Sequence, residues 1–469
     1  SRESRQDAPA RPCPPRPPPR PGGSITPARP RQQATRRVVT RDDPVYGGGL
    51  MNILVLTGGL EEDPFTAALT KSLRTLDHRV TTLSPLYKSI DPTQRALARR
   101  LVKLSAEVDG ERFACELYTG RNIHGVEQVY IGHAELFAKA ADLNDGDEAT
   151  VSKRVAVFAQ AAAAFVRDDI TISAEIVHGL GVGGTAALRE LAELDHPTPR
   201  VLSADAAVLA RSLDLASTLI ASTASEAEAV LAVLAERHVD DRAGKSVRVV
   251  ATGVDTSLWN PLTDSHLSSR FDPIDRSGKA RSKAGLQREL SLPVRPEVPL
   301  IGVVASARDT SALAAFVSAA AELLRNDVQI VVQAEGSGEV VASLEDLWDR
   351  FPDRLQIRTG SERALTHAIV GSVDLFLSLS ATGDLAREAQ RYGTLPILAR
   401  TAPVADALVD CDGTLSSGNV FLADSLDAPS LLATTQRAVS AYLQRDAFLP
   451  LQRRVMELDH SWAKAAHGF

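Results

Sequence analysis

The sequence predicts an α/β fold of two Rossmann-like, doubly wound parallel-sheet domains with an inter-domain cleft. Three observations point there. Short apolar runs alternate with stretches of helical spacing from Met51 onward. The apolar content, 44% of 469 residues, is mostly Ala, Leu and Val with 4% aromatics, which suits helices layered on buried strands. A polar stretch near residues 262–298 divides the alternation into two series. Strands and helices alternating at this spacing argue for parallel sheets.

In the first series, the apolar runs at 51–56, 79–83, 128–132, 175–178 and 217–221 read as strands. Helical spacing marks 66–76, 149–167, 185–194 and 226–237. The second series has strands at 300–305, 329–332, 355–358, 375–379, 395–398 and 420–422, with helices between them. The expected domains are therefore 51–260 and 261–450. In such sheets ligands sit at the carboxyl ends of the strands, facing the cleft.

Residues 1–50 differ from the rest. They hold eleven prolines and ten arginines, with no lysine and almost no large apolar side chain. Such a segment cannot bury enough surface to offset its chain entropy, so it reads as disordered. As a functional element it would be a basic tether for an acidic protein partner. The favoured expectation is that the protein starts at Met51, directly before the first strand.

The formal net charge of −7 argues against a nucleic-acid partner. No apolar run reads as long enough to span a bilayer, and no secretory leader is visible. Cys13, Cys115 and Cys411 are widely spread, which points to a reducing cytoplasm rather than to disulfides. His124, His133, His367 and His460 make no zinc spacing, and neither a metal nor a cofactor is expected.

Several stretches resemble one family, the bacterial glycogen synthases and plant starch synthases. Residues 51–57 followed by Pro64 and Phe65 are similar to its opening strand and loop. LSPLYKSIDP at 83–92 and VYIGHAELF at 129–137 resemble two further segments. The sharpest match is GVDTSLWNP, opening the stretch 253–293. DLFLSLS at 374–380, RYGTLPI at 391–397, VADALVD at 404–410 and MELDHSWAKAA at 456–466 follow. The resemblance implies a two-lobed GT-B glycosyltransferase whose C-terminal helix, here 451–469, crosses back to the first lobe. It also implies transfer of glucose from ADP-glucose to an α-1,4-glucan with retention of configuration. The leaving diphosphate is met by an Arg and Lys pair and by amides at helix N-termini.

The family's functional positions are almost all replaced. Its Lys-Thr-Gly-Gly loop should follow Pro64-Phe65, where a helix is expected to begin at Thr66. Thr57-Gly58-Gly59-Leu60 precedes that point, lacks a lysine and runs into Glu61, Glu62 and Asp63, so it reads as a turn. Aligned on Val177-His178, the family's Asp-Trp-His becomes Gly181, Val182 and Gly183. His178 itself reads as a packed strand-end residue. The Arg and Lys pair becomes Ser306 and Ser311, with Arg308 two positions away, where bidentate geometry is lost. The Glu-x-Cys-Gly motif becomes SLSATGD, whose one acid, Asp384, reads as the cap of a helix over 385–391. The Thr-Gly-Gly turn becomes Thr401-Ala402-Pro403, and proline has no N–H to give. The segment that carries acceptor contacts is shortened to about 199–246.

The expected function is therefore a glycogen-synthase-like protein that has lost catalysis and binds or regulates. A divergent active glucosyltransferase using ADP-glucose or UDP-glucose is the alternative. The nucleotide-sugar candidates are Gly181, Gly183, Arg308, Gly336, Asp384 and Thr401, with a glucan as the other candidate ligand. A third reading rests on Gly179 to Gly184, which satisfies G-x-G-x-x-G between a strand and a helix and would cradle a dinucleotide pyrophosphate. Gly336-Ser337-Gly338-Glu339 reads as a strand-end turn, Trp259 as packing at the lobe linker and Trp462 as the anchor of the last helix.

Overall fold

The computed structural model describes residues 50–59, 63–168, 172–236, 245–306, 309–335 and 339–468. The Pro/Arg-rich segment 1–49, Arg308 and Gly336 lie outside the described residues.

The first sheet has nine strands: β1 (Asn52–Thr57), β2 (Arg79–Pro85), β3 (Ala98–Val108), β4 (Glu111–Arg121), β5 (Glu127–Gly132), β6 (Ile176–Leu180), β7 (Arg200–Ser203), β8 (Thr218–Ala221) and β9 (Ser246–Val249). Their order is β3-β4-β5-β2-β1-β6-β7-β8-β9. The sheet is mixed rather than all parallel. β4 runs antiparallel to both β3 and β5, while the other neighbours are parallel. The hairpin of β3 and β4 is a correction to the sequence reading. Its strands alternate in character, with Leu104, Ala106, Phe113, Cys115 and Leu117 inward and charged residues outward. Asp109 and Gly110, with φ of 54° and 77°, close it in the left-handed region that a tight two-residue hairpin turn requires.

The helices of this half are α1 (Pro64–Thr75), α2 (Glu148–Asp168), α3 (Gly181–Glu193), α4 (Ala206–Arg211) and α5 (Ala224–Glu236). α1 starts where Asp63 Oδ2 accepts from the Thr66 N–H at 3.1 Å. α2, at 21 residues, is long and apolar enough to cross a membrane by length and composition, which corrects the expectation that no such run exists. Its period is helical, so Val157, Phe158, Ala161, Ala162 and Phe165 fall on one stripe and join Leu54 and Leu56 of β1 in the core.

The second sheet is all parallel: β10 (Leu300–Ala305), β11 (Gln329–Ala334), β12 (Leu355–Thr359), β13 (Leu375–Ser378), β14 (Leu395–Ala399) and β15 (Phe421–Ala423), in the order β12-β11-β10-β13-β14-β15. Helices α6 (Ser277–Glu289), α7 (Thr310–Leu323), α8 (Glu339–Arg350), α9 (Arg363–Ser372), α10 (Ala386–Arg391), α11 (Ala428–Leu443) and α12 (Arg445–Met456) accompany it. α6 falls inside the stretch read as polar. Its lysines are not solvated: Lys279 and Lys283 are buried, and Lys283 pairs with Asp374 at 2.7 Å.

The chain end is two helices, not one. α12 places Phe448, Leu451 and Val455 in the second core. After a break, α13 (Trp462–Ala466) lies on α1 of the first half, with Trp462 edge-on to Phe65 at 5.2 Å. Trp259 stacks on His367 at 3.9 Å, while His367 Nδ1 and the Tyr392 hydroxyl both bond Asp264 Oδ2. It thus packs into the second half.

Candidate functional site

The carboxyl ends of the two sheets face each other. Ser225, just beyond β8, donates its N–H to Asp406 Oδ2 at 2.9 Å, and Asp406 lies just beyond β14. Nearby, the Arg387 guanidinium bonds the Thr252 carbonyl, and His460 Nε2 meets Gln390 Oε1 at 2.7 Å. Lys71 reaches Ser257 Oγ at 3.0 Å.

On the first sheet, Gly58 and Gly59 follow β1. Gly59 N–H donates to Thr57 Oγ1 at 3.1 Å, and the Tyr87 hydroxyl donates to the Gly58 carbonyl. Gly183 packs directly on this turn: a Cβ on Gly183 would sit 2.4 Å from Gly58 Cα. Gly181, with φ of 57°, has open space around it. The two glycines therefore serve different ends, one close packing and the other the turn into α3. The G-x-G-x-x-G stretch is not a loop, because α3 starts at Gly181 instead of residue 185. His178 is fully buried and shares a 2.7 Å hydrogen bond with Ser203 Oγ, and burial pulls its pKa down to about 4. It packs, as the sequence suggests.

On the second sheet, Ser306 directly follows β10. Both the N–H and the hydroxyl of Ser306 donate to Asp309 Oδ2, at 2.8 Å each. That puts a carboxylate beside the strand end. Asp384 departs from its expected role. Leu385, at φ of 64°, heads α10 without a side-chain cap, and the Asp384 carboxylate accepts from Ser380 Oγ at 3.0 Å and Thr382 Oγ1 at 2.8 Å. The left-handed turn at Leu385 carries the carboxylate away from the helix amides. Gly383, also left-handed at φ of 74°, seats this loop against Ala402 and Val404. Asp384 and Thr401 thus stand on adjoining loops, both exposed. Pro403 opens the 3-10 turn Pro403–Ala407.

Two residues here were missed by the sequence reading. Glu388 follows Arg387 on α10, and burial holds its carboxyl above the usual range. Asp406 reaches across to α5. Its one sequence signal was membership of VADALVD, noted for resemblance and not for reach.

Residues 52–179 match the family described as the starch synthase catalytic domain. A glycogen synthase of Anaeromyxobacter sp. (strain Fw109-5) is 29% identical over 463 residues, covering 88% of this chain and 95% of that protein. The chain is similar in sequence to the glycogen and starch synthases. The matches to a glycogen synthase of Anaeromyxobacter dehalogenans (strain 2CP-1 / ATCC BAA-258), at 34% identity, span about half of each chain, 46% of both. The catalytic domain of Arabidopsis thaliana starch synthase IV, bound to ADP and acarbose, superposes with a TM-score of 0.72 at 19% identity, covering 89% of this chain and 97% of that one. At that identity the likeness shows the fold, the two-lobed GT-B architecture. In this glycogen-synthase-like chain, Gly181 and Gly183 open α3 beyond β6 of the first sheet, and Asp384 and Thr401 stand on the loops beyond β13 and β14 of the second.

Proposed function

We propose that this glycogen-synthase-like protein no longer transfers glucose and acts as a binding or regulatory relative. The observation that carries the reading is at the end of β10. There the family resemblance calls for an arginine to meet a diphosphate, and the chain offers Ser306 tied to the carboxylate of Asp309. A carboxylate there repels the charge that develops on the leaving group. Pro403 removes an amide donor at β14, and Asp384 is occupied by two hydroxyls. Each lost donor of this kind costs roughly 2.7–4 kcal/mol in the transition state. The cytoplasm is part of the proposal, supported by three scattered cysteines.

The Arabidopsis neighbour is bound to ADP and acarbose, which supports a nucleotide sugar and a glucan as the ligand classes to test. The experiment is a thermal shift with ADP-glucose and UDP-glucose, beside co-sedimentation with glycogen. The reading expects glycogen retention or partner capture without turnover. A divergent active transferase, with Arg308 and Asp384 at its site, expects stabilisation by one nucleotide sugar, because ligand binding to the native state raises apparent stability.

A further inference from the structure

A cavity of about 360 Å³ lies at the outer edge of the second sheet. The end of α6, the edge strand β12 and the start of α9 border it, and His266 stands at one side. Among the described residues, none from the first half lines it. Gly181, Gly183, Asp384 and Thr401 are not among its walls, so it is a different place from the cleft.

The floor of the cavity is apolar. Leu290, Leu365 and Ala368 are buried there, in the cluster that joins α6 to α9. The rim is exposed and carries both signs of charge: Arg358 on β12, Glu289 at the last residue of α6, and Glu362 just before α9. These charges do not neutralise one another. Arg358 donates only to the carbonyl of its neighbour Ile357, at 2.9 Å. The Glu289 carboxylate has no ion pair or hydrogen bond among the described residues, and Glu362 precedes α9 without capping it. The ring nitrogens of His266 likewise bond nothing among the described residues. Elsewhere on this half, neighbouring charges do meet: Arg453 reaches Glu457 at 2.8 Å, and Arg325 reaches Glu322 at 2.9 Å. At this cavity opposite charges share one recess and stand too far apart to pair. A lone carboxylate entering it would be repelled by the two glutamates, and a lone amine by Arg358. A small molecule that carries both charges satisfies all of them.

We propose that this cavity binds a free α-amino acid with an aliphatic side chain. Arg358 and His266 take the carboxylate, where the planar guanidinium offers a two-pronged, charge-assisted contact. Glu289 and Glu362 take the ammonium. The side chain lies on Leu290, Leu365 and Ala368, which removes its apolar surface from water. The volume is at the lower end of the range for small-molecule sites, and an apolar floor with a few polar groups at the rim is the usual make-up of such a site.

The test is calorimetric titration of the full chain with leucine and with three molecules that each lack one part of it. Isocaproate lacks the ammonium, isopentylamine lacks the carboxylate, and glycine lacks the side chain. Leucine is expected to bind with a Kd below about 1 mM, and each of the other three at least about tenfold more weakly. The variants R358Q and E289Q, both at exposed positions, are expected to weaken leucine by at least about tenfold with their melting temperatures unchanged. They lie on different elements, so either one measures the site if the other folds poorly. No heat from leucine at about 10 mM, or unchanged affinity in either folded variant, overturns the site. Isopentylamine or isocaproate binding as tightly as leucine overturns the amino-acid assignment. Glucose transfer plays no part in these readouts, so they stand or fall apart from the proposed loss of catalysis.

Discussion

Gly183 has no room for a side chain, and that fact separates packing from ligand binding at this position. A Cβ would meet Gly58 Cα at 2.4 Å and Gly58 N at 2.6 Å. Gly183→Ala is expected to destabilise the protein by about 1–3 kcal/mol, read as a lower urea midpoint. An unchanged midpoint would return Gly183 to the list of ligand contacts. His178 makes a second residue-scale prediction. Its pKa is about 4 in the fold and near 6.5 when unfolded. Below pH 6.5 the unfolded chain binds a proton that the folded chain refuses, so stability falls as pH drops towards 4, by about 1.4 kcal/mol per pH unit. His178→Gln should flatten that limb in denaturation curves taken from pH 7 to 4, and a limb as steep as wild type would contradict the burial argument. His178 was legible in the sequence because a strand-end histidine inside an apolar run has few other places to go. Asp384 was not legible, because its role turns on a left-handed Leu385 that no residue preference announces.

At the scale of elements, the second-sheet strands were readable because a strand buried on both faces is a continuous apolar run, and 300–305 matches β10 in full. The hairpin of β3 and β4 was not, because it is half-buried at the sheet edge and its alternation is diluted by Arg99, Arg100, Lys103 and Glu107. The Asp109-Gly110 turn between two alternating runs was the available signal. Gly110→Val is expected to cost about 1–2 kcal/mol, since a β-branched residue resists a φ of 77°. Thermal melting followed by circular dichroism checks it, and a melting temperature equal to wild type would mean that the turn changes type without loss. α6 was misjudged for a different reason. Its buried Lys283 is compensated by Asp374, 91 positions later in the chain, and such partners are invisible to local composition.

At the scale of the whole molecule, the halves are tied by contacts that the chain order does not suggest. Trp462 brings the C-terminal end onto α1, and Asp406 reaches the start of α5. Trp462→Ala is expected to cost about 3–5 kcal/mol, because a buried indole leaves a large cavity between α1 and α13. A melting temperature within error of wild type would show that α13 does not hold the halves together. The two-lobed architecture was legible from periodicity alone, and the family frame from GVDTSLWNP. The chemistry of the cleft was legible only as a set of replacements, because what now fills each position depends on partners such as Asp309 for Ser306. The most direct measurement is glucose incorporation into glycogen by the purified chain, with labelled ADP-glucose and UDP-glucose at saturating concentration and an active bacterial glycogen synthase assayed in parallel. No incorporation above background is expected with either donor, and turnover comparable to the active enzyme would contradict the loss of catalysis.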